Sequence, residues 1–325
     1  MPTVHFVTNR APNRQRRPDD FGTGFAACPA SLRFGSARVE GGQVRQVDVA
    51  EERITSTRTV LGSTAVFDEL KRGMRRGLDT LCFVHGFNVT FREALVTAAA
   101  LHDAYGGAAG IQVVAFSWPS DGSAMPIVGY RRDRDDAKAS GPALGRALLK
   151  LRDFLTEVRR GPDTCPARLH LVAHSMGNYV LRNGLQSYLQ MGGTPSRIFD
   201  EILLMAADED HDAFEHQHKL ASLPELGGAV HVYFNRGDTA LVISDRTKSN
   251  PTRLGSRGPR LPHGVPGNVT NVDCSEVVGG LLEHSYFHDS PRVVADLRAI
   301  LGGTPSDRVG GRRYLPSQNR FVLDP

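Results

Sequence analysis

The sequence predicts an α/β protein: a mainly parallel central sheet with helices on both faces and antiparallel strands at one edge. Short apolar runs without polar alternation suit strands covered from both sides. Amphipathic helical patterns lie between those runs, and capping and stop residues punctuate the boundaries.

The apolar runs span Val4 to Thr8, Thr80 to His85, Ile111 to Ser117, Leu169 to His174, Ile198 to Ala206, Ala229 to Asn235 and Asn268 to Val272. A first helix runs from Thr90 to Tyr105, with Phe91, Leu95, Ala98 and Leu101 at helical spacing, a Thr90-x-x-Glu93 capping box and a Gly106-Gly107 stop. A second opens at Ser140 and Pro142, carries Leu144, Leu148, Leu151 and Leu155, and ends near Gly161-Pro162. A third follows Ser175, turning Val180, Leu181, Leu185 and Leu189 inward before Gly192-Gly193. The last starts at Ser290-Pro291, uses Val293, Val294, Leu297 and Ile300, and stops at Gly302-Gly303. Strand and helix therefore alternate from residue 80 to 303, which implies right-handed crossovers within a parallel sheet. Residues 30 to 60, with Gly41-Gly42 at a turn, read as the antiparallel edge strands.

The expected organisation is one domain over residues 1–303, with an N-terminal arm and edge strands in 1–60, and a tail over 304–325. Residues 244–267, rich in Pro, Gly and Arg, read as a long loop, and the tail reads as weakly ordered.

At 325 residues, 40% hydrophobic and 23% charged, the chain has enough apolar content for a large core, which excludes a stapled mini-protein, wholesale disorder and a fibrous repeat. The 39 Lys and Arg against 35 Asp and Glu leave a net charge of only +4, so no nucleic-acid partner is expected. The cluster Arg10, Arg14, Arg16 and Arg17 reads as a solvated arm. Cys28, Cys82, Cys165 and Cys274 stand singly, with no C-x-x-C pair, which suggests neither a zinc knuckle nor a disulfide framework. Charged residues interrupt the first 20 positions and no run approaches 18 apolar residues, so the expectation is a cytoplasmic protein without an integral membrane segment.

The segment most informative about chemistry is Leu169-His170-Leu171-Val172-Ala173-His174-Ser175-Met176-Gly177, a strand running into a helix with serine at the corner. A side chain on such a turn projects above the sheet edge, and small residues two positions before and after it let strand and helix approach closely. Here those are Ala173 and Gly177, with alanine departing from the usual first glycine. A helix N-cap serine would give the same string without the chemistry. An acyl-transfer serine also needs oxyanion donors, and the earlier strand ends in His85-Gly86-Phe87-Asn88. The backbone N–H groups of Phe87 and Met176 are therefore the candidate pair, with His85 bracing the loop.

The base and acid must come from later strands, in the order nucleophile, acid, histidine. Asp238 follows a strand end in Asn235-Arg236-Gly237-Asp238, with Asp208 as the alternative acid. His284 lies in the loop before the last helix, with His288 as the alternative base. Asp208-Glu209-Asp210-His211-Asp212, with His216 and His218 nearby, lacks metal-ligand spacing and reads as a solvated loop.

Together, Val4-His5-Phe6-Val7-Thr8-Asn9-Arg10, His85-Gly86-Phe87-Asn88, Phe116-Ser117-Trp118-Pro119-Ser120, His174-Ser175-Met176-Gly177-Asn178, Ala206-Ala207-Asp208, Asp238-Thr239-Ala240-Leu241 and His284-Ser285-Tyr286 resemble the alpha/beta-hydrolase family DUF900. The resemblance runs from the first strand to the last helix. It implies the alpha/beta-hydrolase fold, Ser175 as nucleophile, Asp238 as its acid and His284 as its histidine. It supplies a reaction class without a substrate. Trp118, the sole tryptophan, and Asn88 are candidate pocket residues.

The expected activity is a serine carboxylic-ester hydrolase working through an acyl-enzyme on a small acyl ester, with neither metal nor organic cofactor. Thioesters, lactones and amides remain open, and a non-catalytic binding protein on the same fold is the rival from another class. The 244–267 loop, with Arg246, Arg253, Arg257 and Arg260, is a candidate cover for the acyl site, though a solvated surface is the plainer reading.

Overall fold

The computed structural model describes residues 2–54, 57, 59–106, 110–120, 126–159, 166–241, 252–279 and 284–325. Cys165, Arg246, Gly107 and Gly161-Pro162 lie outside these residues.

In chain order the elements are β1 (Thr3–Thr8), β2 (Arg10–Pro12), β3 (Phe21–Phe25), β4 (Arg33–Glu40), β5 (Gln43–Val49), β6 (Arg53–Ile54), β7 (Thr59–Val60), α1 (Gly62–Arg75), β8 (Asp79–Val84), α2 (Phe91–Tyr105), β9 (Ile111–Ser117) and α3 (Pro126–Ala139). There follow α4 (Gly141–Arg159), β10 (Leu169–His174), α5 (Gly177–Gln190), β11 (Phe199–Met205), β12 (Gly227–Phe234), α6 (Leu254–Arg257), β13 (Val269–Asp273), α7 (Tyr286–Asp289), α8 (Pro291–Leu301), β14 (Arg312–Leu315) and β15 (Arg320–Leu323).

Among the described residues the central sheet has eleven strands in the order β14-β15-β13-β12-β11-β10-β8-β9-β1-β4-β5. From β15 to β1 the neighbours run parallel. Antiparallel pairs close both ends, β1-β4-β5 at one and β14-β15 at the other. The β4–β5 turn is Gly41-Gly42, with φ of +57° and +70°, the left-handed pair that a tight hairpin requires. Every residue of β10 is buried, as the run without alternation implied.

Two apolar layers sandwich the sheet. On one side Leu70, Leu144, Leu148, Val180 and Leu185 from α1, α4 and α5 pack on Val84, Val114 and Leu171. On the other, Leu95, Ala98, Val293 and Leu297 from α2 and α8 pack on Phe83, Val113 and Val172. The capping box of α2 is formed in both directions: Glu93 N–H donates to Thr90 Oγ1 at 3.3 Å, and Thr90 N–H donates to Glu93 Oε2 at 2.8 Å. Such a cap contributes about 1 kcal/mol.

This topology locates the crevice. The chain leaves β8 by α2 on one face and β10 by α5 on the other, and β8 and β10 are neighbours. Loops that diverge from adjacent parallel strands open a cleft at their carboxyl ends. Residues 85–88 and 174–177 flank it.

Two expectations are corrected. Residues 304–325 are not a loose tail: they form β14 and β15, with Val322 and Leu323 buried. Arg10 is not part of a solvated arm. It is fully buried because its guanidinium finds partners inside, among them Ser117 Oγ at 2.9 Å and the carbonyls of Gly22, Ser120 and Val89 at 3.1, 3.3 and 2.7 Å. Among the described residues no helix is long and apolar enough to cross a membrane.

Candidate active site

Ser175 stands at the corner between β10 and α5 with φ +52°, a left-handed conformation that costs a non-glycine residue about 1–2 kcal/mol. The surrounding bonds hold that strain. Ser175 N–H donates to Met205 O at 3.0 Å, and its carbonyl accepts from the N–H groups of Asn178 and Asp208, each at 3.1 Å. The Asn178 side chain adds bonds from Nδ2 to Ala173 O at 3.0 Å and Ser175 O at 3.1 Å. Asn178 was given no role from the sequence, although it stands in the His174-Ser175-Met176-Gly177-Asn178 motif three residues after the corner serine.

Close approach explains the small residues. A Cβ on Gly177 would lie 2.4 Å from Val84 O, and one on Gly86 would lie 2.8 Å from Ser175 Cβ. Gly177→Ala is therefore expected to cost about 1–3 kcal/mol of stability by overpacking against immobile backbone. A thermal melt checks this; an unchanged midpoint would contradict the packing argument.

Among the described residues, neither the Phe87 nor the Met176 N–H donates a hydrogen bond, and the two lie on the loops flanking the crevice. His85 braces the first loop as expected. Its Nδ1 bonds Gly86 O at 2.9 Å, Trp118 N–H donates to its Nε2 at 3.2 Å, and its ring stacks on Trp118 at 5.2 Å. Trp118 itself is fully buried, with Nε1–H donating to His85 O at 2.8 Å, so it supports the loop from behind and does not line an open pocket. Asn88 is exposed at the rim, with φ +59°.

Of the distant candidates, the structure brings Asp238 and His284 together. Asp238 Oδ2 lies 2.7 Å from His284 Nδ1, while Oδ1 accepts from the N–H groups of Ala240 at 3.1 Å and Leu241 at 3.3 Å. In a neutral ring, donation from Nδ1 to the carboxylate makes Nε2 an acceptor. His284 is placed by its surroundings. Buried Tyr286 and Phe287 follow it, and its carbonyl lies 3.0 Å from Nε2 of His174, whose ring is 4.7 Å from its own. His284 is thus seated against the residue that precedes Ser175. Among the described residues the Ser175 hydroxyl and His284 are not joined by a hydrogen bond. Such contacts often tighten only when substrate binds.

The alternatives have other side-chain partners. His288 pairs with its neighbour Asp289 at 2.7 Å. Asp208 is buried, accepts from Tyr130 Oη at 2.6 Å and lies 3.7 Å from Arg253. The segment after Asp208 is not a solvated loop. Glu209 is fully buried, and Asp210 and Asp212 pair with Lys219, with Arg182 3.0 Å from Glu209. The described part of the long loop is not a solvated surface where it meets this segment. Arg253 and Leu254 are fully buried, and Leu254 and Gly255 donate to the carbonyls of Glu209 and Ala207 at 2.8 and 2.9 Å.

Burial holds the imidazoles of His174 and His5 below their ordinary range and takes that of His85 down to about 3, helped there by the Arg10 charge. In the unfolded chain these rings take up protons near pH 6.5, so their contribution is present at neutral pH and is lost as pH falls below that value. The loss amounts to about 1.4 kcal/mol per pH unit for each ring that stays neutral in the fold. Stability should therefore drop between pH 7 and 5, before carboxylates titrate. Urea unfolding midpoints across that range test this, and a flat profile would contradict it.

Compared with known proteins, residues 63–302 match the family described as alpha/beta hydrolase of unknown function (DUF900). An uncharacterized protein of Nostoc sp. is 22% identical, over 74% of this chain and 78% of its own length. No solved structure matches. With a parallel sheet, a serine at the β10–α5 corner and a family match over most of its length, the chain belongs to the alpha/beta hydrolase family DUF900.

Proposed function

We propose that the protein is a serine hydrolase of carboxylic esters. In this reading Ser175 Oγ attacks the ester carbonyl while His284 Nε2 takes its proton, and Asp238 holds the ring and stabilises the imidazolium. The N–H groups of Phe87 and Met176 stabilise the tetrahedral oxyanion. Its collapse expels the alcohol, which takes the proton back from His284 and leaves an acyl-serine. Water, deprotonated by the same histidine, then attacks the acyl carbonyl, and collapse of that intermediate releases the acid while His284 returns the proton to Ser175 Oγ.

The observation that carries the reading is the 2.7 Å bond between Asp238 and His284, seated against the residue that precedes a left-handed Ser175. A buried carboxylate on Nδ1 fixes the tautomer that the proposed base requires, and it does so beside a serine on a strained corner. Turnover of a short-chain nitrophenyl ester tests it. Ser175→Ala is expected to abolish measurable hydrolysis while leaving the thermal midpoint within a few degrees, and wild-type turnover in that variant would refute the proposal.

A further inference from the structure

The loop that offers the Phe87 amide is held by buried side chains and backbone outside the corner that carries Ser175. Asn88, the next residue, sits in the left-handed region with φ +59°, a conformation that asparagine adopts readily. Its N–H donates at 3.3 Å to Oδ2 of Asp133, a fully buried carboxylate on α3. The same oxygen accepts the Ser120 hydroxyl, and Ser120 Oγ in turn accepts Val89 N–H at 3.2 Å. Arg10 completes the clamp, donating to Val89 O at 2.7 Å and Ser120 O at 3.3 Å. The Phe87 ring packs edge-on against Tyr130, also on α3, with centroids 5.7 Å apart. Tyr130 Oη reaches Asp208, whose N–H donates to Ser175 O at 3.1 Å. A single helix thus grips the loop of one candidate oxyanion donor and the corner that carries the other.

We propose that Asp133 is a positioning residue for the oxyanion hole, fixing the Asn88 and Val89 amides so that the Phe87 N–H faces the carbonyl attacked by Ser175. This rests on the serine-hydrolase reading above. Asp133 does not touch substrate; it acts through the loop. A displaced donor loses its effect on the developing charge, and a shift of about 1 Å can cost on the order of 100-fold in rate.

The test uses the full chain, a short-chain nitrophenyl ester and a trifluoromethyl ketone, whose carbonyl accepts the serine oxygen and becomes an oxyanion. Asp133→Ala is expected to lower kcat by about 10- to 100-fold with KM nearly unchanged, and to weaken ketone inhibition by the same factor. Asp133→Asn keeps an oxygen able to accept both bonds and should recover most of that loss. A folded Asp133→Ala with wild-type kcat and ketone affinity would overturn the proposal, as would an Asp133→Asn no better than alanine. If the alanine variant does not fold, Ser120→Ala replaces it: a parallel loss in kcat and ketone affinity supports the clamp, and no change in either overturns it.

Amide hydrogen exchange separates this outcome from failure of the hydrolase reading. If the wild type is inert to both ester and ketone, that reading fails. The clamp is then judged on whether exchange at Asn88 and Val89 accelerates in Asp133→Ala or, if that variant does not fold, in Ser120→Ala. Unchanged exchange would overturn it.

Discussion

His284→Ala is expected to lower kcat for a nitrophenyl ester by about 10⁴-fold or more, whereas His288→Ala should stay close to wild type. The difference follows from placement. His284 Nδ1 meets a buried Asp238, which in the proposed mechanism leaves Nε2 for the serine proton, while His288 pairs with Asp289, an exposed neighbour on its own helix. Asp238→Asn should also cost about 10⁴-fold, because an amide at that position favours the wrong tautomer of the ring. Asp208→Asn should show its effect in stability, since that carboxylate serves Tyr130 and Arg253. Steady-state kinetics on the four variants decide the assignment. Equal losses at His284 and His288, or none at either, would contradict it.

Arg312→Ala is expected to be the most destabilising single change outside the site, at about 3–5 kcal/mol. The guanidinium of Arg312, on β14, lies 2.7 Å from Asp296 of α8, and both side chains are almost fully buried. It also donates to Tyr233 Oη at 2.9 Å, while that hydroxyl donates to Asp296 at 2.7 Å. Removing the cation leaves a buried, uncompensated carboxylate. Removing both partners should cost less than the sum of the single changes, so a double-mutant cycle of Arg312→Ala with Asp296→Ala isolates the coupling. Arg313→Ala, at an exposed pair on the same strand, is expected to change stability by no more than about 0.5 kcal/mol. Thermal or urea unfolding that gives Arg312→Ala and Arg313→Ala the same stability would contradict this account.

What was legible in the sequence shares a physical character. The α2 capping box, the hairpin at Gly41-Gly42 and the fully buried β10 are written in local chemistry and periodicity. The triad candidates were legible through their places at strand ends, since chain order in a parallel sheet fixes which loops share an edge.

What was missed depends on partners distant in the chain. Arg10 and the acids at positions 208–212 look like solvent-facing charge, and it is distant partners such as Val89, Ser120, Tyr130, Arg182, Lys219 and Arg253 that make their burial tolerable. Residues 304–325 look like a tail because their few apolar side chains gain cover only from β13 and α8. For α1 the cue was present: Val66, Leu70 and Met74 repeat at four-residue spacing within a charged stretch.

Labelling with a fluorophosphonate followed by peptide mapping tests the central claim most directly. The reagent forms a covalent bond only with a serine whose hydroxyl is accessible and activated. The account predicts a single modified site at Ser175, lost in Ser175→Ala and strongly slowed in His284→Ala. A folded wild-type protein that remains unlabelled, or that carries the label on another residue, would contradict it.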